Sequence, residues 1–142
     1  MRSRHGIADA DLAERVLRFC LLAGFWVPLA ACTYLALTPS PPQSVFQVGD
    51  VVLHAFAFTY LTFSLSLAHP SQRALVPGLW MLGYGLLLEV VQSFEAARSA
   101  ELKDLMVDLV GICLGLLAAR WMAESTRRLL AQLLHRVIPE KP

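Results

Sequence analysis

Three pairs of polar residues sit at helical spacing inside otherwise apolar stretches of this chain. Asp50 and His54 are four apart, Glu89 and Gln92 three apart, and Asp104 and Asp108 four apart. Residues three or four apart share one face of a helix, so each stretch presents two polar groups from one side. An imidazole among carboxylates is a set suited to general acid–base work, in which groups in unequal environments divide the two roles. The candidates for that work are Glu89, His54 and Asp108. The same nitrogen and oxygen donors suit zinc or manganese, but their spacing carries no metal-site signature, and neither a metal nor a cofactor is assigned. No nucleophile with a clear activating partner accompanies them. Arg98 lies in the polar segment between Ser93 and Lys103. It is either an ordinary loop cation or the counter-ion of the acids. With three acids, Glu89, Asp104 and Asp108, to one arginine, the set is short of positive charge, which a shared proton or a cationic ligand group would balance.

The elements that position these residues follow from composition. Of 142 residues, 56% are apolar and 16% charged, and the mean hydropathy is +0.55. A soluble domain of this size has too little interior to hide so much apolar surface. The net charge of +1 gives no reason to invoke nucleic acid. Four apolar stretches, roughly Val16–Leu37, Val51–Ala68, Ala74–Val91 and Leu105–Trp121, approach the length that crosses ~30 Å of hydrocarbon. The prolines at 39, 41 and 42 end the first, His69-Pro70-Ser71-Gln72-Arg73 forms a tight turn, and no stretch alternates as a barrel strand does. The expected fold is all-α: a segment over 1–15, a four-helix transmembrane bundle over 16–122, and a tail over 123–142.

Charge placement orients the bundle. Arg2, Arg4, Arg15 and Arg18 precede the first span, Arg73 separates the second and third, and Arg120, Arg127, Arg128, Arg136 and Lys141 follow the fourth. Only Arg98 and Lys103 occupy the other connections, so ten of the twelve cations fall on one side. The positive-inside rule makes that side, and both termini, cytoplasmic in a bacterial inner membrane. A rival reading of the first span takes Leu29-Ala30-Ala31-Cys32 as a lipoprotein signal with a lipidated cysteine, which would leave three spans. The apolar run continues past it through Leu37 and exceeds an ordinary signal core, which favours a first span.

In this topology His54, Glu89 and Asp108 fall at nearly one depth below the outer surface, with Asp50, Gln92 and Asp104 one turn above. A charge at mid-membrane costs about 2.5–3.5 kcal/mol on insertion scales, so these groups are expected to face one another rather than lipid. The face of Asp104 and Asp108 continues to Gly111 and Gly115, a small-xxx-small pattern that lets helices approach closely. The face of Glu89 and Gln92 continues to Gly85 and Gly78. The expectation is one polar cluster of Asp50, His54, Glu89, Gln92, Arg98, Asp104 and Asp108.

The ordered set Asp50-x-x-x-His54, Glu89-x-x-Gln92, Arg98 with Asp104 six residues later, and Gly111-x-x-x-Gly115 resembles the VanZ-like family of small bacterial membrane proteins. The resemblance covers about Asp50 to Gly115. Val51 stands where that family often has lysine, and Asp108 where it often has asparagine. The family is named for a protein associated with teicoplanin resistance. The resemblance therefore implies a role at the cell envelope and a ligand such as a lipid-linked cell-wall precursor, a phospholipid or a lipoglycopeptide.

Two other readings stand beside a binding role. The cluster either works as an acid–base enzyme on a lipid-linked substrate, or only fixes helix packing through interhelical hydrogen bonds. A proton relay is disfavoured because no acid continues the path to the other face. In the tail, Leu129, Leu130, Leu133, Leu134, Val137 and Ile138 oppose Arg127, Arg128, Gln132, His135 and Arg136. This marks an amphipathic helix over 123–138 that lies on membrane lipids or serves a partner or a second copy.

Overall fold

Hydrocarbon offers no water to backbone amides, so an apolar chain of this kind satisfies them internally, within helices. The computed structural model describes residues 4–38, 49–70, 73–94 and 102–137, and shows four helices with no strand among them. They are α1 (Arg4–Leu37), α2 (Asp50–Ala68), α3 (Val76–Gln92) and α4 (Leu102–Val137). Leu12–Leu37, Val51–Ala68 and Lys103–Leu134 are long and apolar enough to cross a membrane. The 17 residues of α3 are apolar but extend only ~25 Å at ~1.5 Å per residue.

Two helices outrun the expected spans. Helix α1 begins at Arg4 rather than near Val16, because Ala, Leu, Glu and Arg between them are good helix formers. Helix α4 passes through position 123 without a break, so the expected tail helix is, up to Val137, the C-terminal part of α4. Leu130 there packs against a buried cluster of Leu21, Leu67 and Ala68, while Leu129 and Leu133 are exposed.

The helices alternate in direction. Contacts between Gly24 and Tyr60 set α1 antiparallel to α2, and contacts of Thr33 with Tyr84 and Ala36 with Gln92 set α1 parallel to α3. Helices α2 and α4 run parallel and form the closest interface. A Cβ added at Gly111 would lie 2.7 Å from the Ala55 carbonyl oxygen, and one at Gly115 would lie 2.6 Å from that of Thr59. Only hydrogen fits between these backbones. Phe25, Phe58, Leu61, Leu65, Met81 and Ile112 fill the space around that seam. Phe19, Trp26, Phe56, Trp80 and Trp121 instead face outward, each more than half exposed, as a lipid-contacting surface requires.

Pro28 interrupts the ladder of α1. Having no N–H, it cannot bond the carbonyl of Gly24 four residues earlier. The Tyr60 hydroxyl of α2 donates to that carbonyl at 2.8 Å. One defect in α1 thus becomes a fastening to α2. Deep in the same seam the Thr62 hydroxyl is buried without a hydrogen-bond partner.

Two predictions follow from the seam and the fastening. Gly115→Ala should destabilise the detergent-solubilised protein by about 1–3 kcal/mol, since backbone rather than a flexible side chain must yield. Gly83→Ala, with nothing within 4 Å of the added carbon, should leave Tm unchanged; equal Tm losses in both variants would contradict the seam. Tyr60→Phe should cost about 0.6–1.7 kcal/mol in the same thermal assay by stranding the Gly24 carbonyl.

Candidate functional site

The close approach of α2 and α4 brings His54, one turn into its helix, and Asp108, nearly two turns into its own, into contact. His54 Nδ1 lies 2.9 Å from Asp108 Oδ1. Asp108 is only 2% exposed, whereas the His54 side chain is 23% exposed. A buried carboxylate needs polar partners, and here the imidazole is one. Nδ1 is the ring nitrogen engaged by Asp108; where the carboxyl is ionised Nδ1 donates and Nε2 is the nitrogen left for further chemistry.

Helix α3 closes the other side. A Cβ at Gly85 would lie 3.1 Å from Asp108 Oδ2 and 3.3 Å from the Phe58 ring. The absence of a side chain at position 85 therefore makes room for the second carboxylate oxygen. Gly85 is thus the α3 backbone position that lies against Asp108. Glu89 follows one turn on along the same face, and its Cα–Cβ bond leans toward the N-terminus of α3, back toward that level. Asp104 precedes Asp108 by one turn at the same end. Both are half-buried and each has an interaction partner. Asp50 lies one turn before His54, again at this end, so the four acids' positions converge on one end of the bundle. The side chain of Asp50 and the whole of Arg98 lie outside the described residues.

Gln92 serves a different helix. Its side chain is buried, and Nε2 donates to the Ala36 carbonyl in the last turn of α1 at 3.0 Å. It meets one of the carbonyls that a helix end leaves unsatisfied. A second fastening lies one to two turns deeper. The Thr33 hydroxyl donates to the Leu29 carbonyl at 2.7 Å, so the Tyr84 hydroxyl donates to Thr33 Oγ1 at 2.9 Å. The Tyr84 ring packs beside Phe58, with centroids 5.9 Å apart. Thr33 and Tyr84 were not among the expected site residues. Their signal was weak, since hydroxyls in a membrane span ordinarily bond their own helix.

The arrangement can therefore hold a proton and present it. His54 is the part-exposed half of a pair whose other half is buried between α3 and α4. Among the described residues no three histidine, cysteine or acidic side chains are grouped to hold a metal ion.

His54→Ala should leave the buried Asp108 without this partner and lower stability by about 1–3 kcal/mol. Combined with Asp108→Leu, the loss should be smaller than the sum of the two single changes, since the stranded carboxylate is gone. Additive losses in that double-mutant cycle would show that the two residues do not act as a unit.

No protein-family model, curated protein or solved structure matches this chain.

Proposed function

We propose that this chain is a VanZ-like protein that crosses a bacterial inner membrane four times with both ends cytoplasmic. In this reading the site around His54 and Asp108 lies just below the outer surface. It receives the polar head of an amphiphilic envelope molecule, a lipid-linked cell-wall precursor, a phospholipid or a lipoglycopeptide, whose tail stays in lipid. The observation that carries the proposal is the buried Asp108 bonded to a part-exposed His54 at the end of an apolar bundle. A polar group kept at such cost in a membrane helix marks a site by default. The ordered motifs from Asp50 to Gly115 support the family, and the ten of twelve cations that the sequence assigns to one side of the spans support the orientation.

The fourth crossing rests on α3. Its run antiparallel to both α2 and α4 carries the chain from one end of the bundle to the other. Its length falls ~5 Å short of the hydrocarbon thickness, a mismatch that local thinning accommodates at modest cost.

A second reading draws on the same pair. With Nδ1 held by a carboxylate, His54 has the arrangement of a general base, and the site would then act on a lipid-linked substrate by acid–base chemistry.

Glu89→Gln, His54→Ala and Arg98→Ala, each accumulated at wild-type levels, should fail to complement a deletion strain in lipoglycopeptide susceptibility or in binding of a lipid-linked precursor. Full complementation by the Glu89 and Arg98 variants would remove them from the site. Asp108→Asn keeps an acceptor for His54 and should be mild if the site only binds; loss of turnover with binding retained would instead favour the enzyme. An engineered label at Gln43 should react from outside and one at Arg73 from inside.

A further inference from the structure

The end of the bundle opposite His54 and Asp108 holds a cavity of about 240 Å³ where α2 stops between the longer helices α1 and α4. Its floor is apolar, with buried Leu21 and Ala68, and its walls carry Glu14 and Arg18 of α1, His69 just after α2, and Arg127 of α4. Two arginines against one glutamate leave the walls net positive with His69 neutral. Leu21, Leu67 and Ala68 form a buried apolar layer beneath it, with Leu17 and Leu130 packed alongside.

The two arginines differ in what they already do. Arg127 is half-buried and donates through Nη1 to the Leu67 carbonyl. It thereby covers the negative end of α2, which would otherwise repel an anion from the cavity. A guanidinium carries five N–H donors, so this bond leaves others available. Arg18 is exposed and has no hydrogen-bond or ion-pair partner among the described residues.

We propose that this cavity is a phosphate-binding site, its ligand a phosphate group carried on a lipid headgroup or free in solution. Paired guanidinium forks match phosphate oxygens in geometry as well as charge, and an apolar floor accommodates the glycerol end of a lipid. The assignment is independent of which leaflet this end of the bundle faces. It is also independent of the reading given to His54 and Asp108.

Arg18 is the residue to vary, because Arg127 also fastens α2. The full-length chain in an uncharged detergent is titrated with phosphatidylglycerol, with the phosphate-free lipid monogalactosyl diacylglycerol, and with inorganic phosphate, and bound species are counted by native mass spectrometry. Phosphatidylglycerol should bind at least tenfold tighter than the galactolipid. Arg18→Gln should weaken phosphatidylglycerol about tenfold. Arg73→Gln removes the same charge from the same end but does not line the cavity, and should stay within twofold of wild type. Arg18→Lys, which keeps the charge without the fork, should fall between. Displacement of the lipid by millimolar inorganic phosphate would make free phosphate the source, and resistance to it would make the source a headgroup. Equal weakening by Arg18→Gln and Arg73→Gln would reduce the effect to general surface charge and overturn the site, as would wild-type binding in Arg18→Gln at unchanged Tm.

Discussion

The contact of α2 backbone with α4 backbone at Gly111 and Gly115 is the constraint on which the other polar contacts depend. In lipid, apolar side chains gain little by leaving one hydrocarbon for another, so helices associate where they fit closely and where polar groups find partners. The glycines supply the fit. Their hydrogens allow α4 to lie against the carbonyls of Ala55 and Thr59, and only at that separation does Asp108 Oδ1 come within 2.9 Å of His54. A side chain at either glycine would push apart a bond three residues or two turns away. Gly85 extends the same logic to α3, since it is the missing Cβ there that lets a third helix cover the carboxylate.

Helix α1 is attached on different terms. Beside the packing of Leu21 and Phe25, three hydrogen bonds from side chains of α2 and α3 reach it among the described residues: Tyr60 to Gly24, Tyr84 to Thr33, and Gln92 to Ala36. Two of these end on backbone carbonyls, one of them released by Pro28 and one by the helix end. Partner and acceptor are in both cases set by a break in the α1 ladder. The tight seam and the looser attachment divide the bundle into a fixed pair, α2 with α4, and a helix held to it at points.

What the amino-acid sequence reveals here is which residues share a face, and what it conceals is which neighbour takes that face. The spacing of His54, Asp108, Gly111 and Gly115 is explicit in the chain, and the helices that carry it begin within a few residues of the expected bounds, although α4 continues to Val137. Gln92 shows the limit. Its spacing from Glu89 puts the two on one side of α3, yet a helix face about 100° wide can touch two neighbours, and Gln92 meets α1. Gly85 shows a related limit, since register between helices is set by where a glycine permits contact rather than by position along either span. The cations at 18 and 127 carried an orientation signal in the sequence, but their meeting around one cavity depends on α1 and α4 continuing past the end of α2, which periodicity alone does not state.

Helices α2 and α4 are parallel and not adjacent in the chain. His54 and Asp108 are separated by 54 residues, and Leu67 and Arg127 by 60. During synthesis the first three helices are therefore complete before the surface of α2 that bears His54, Thr59 and Thr62 has anything to lie against. Until the last helix arrives, an imidazole and two hydroxyls remain turned toward lipid or toward α1. Asp108, in turn, enters the bilayer on a helix that has no stable place except beside them. The order of assembly is thus written into the topology: the most tightly fitted interface of the protein is the last to form, and a ribosome that stalls before Leu102 leaves behind three helices with no means of closing.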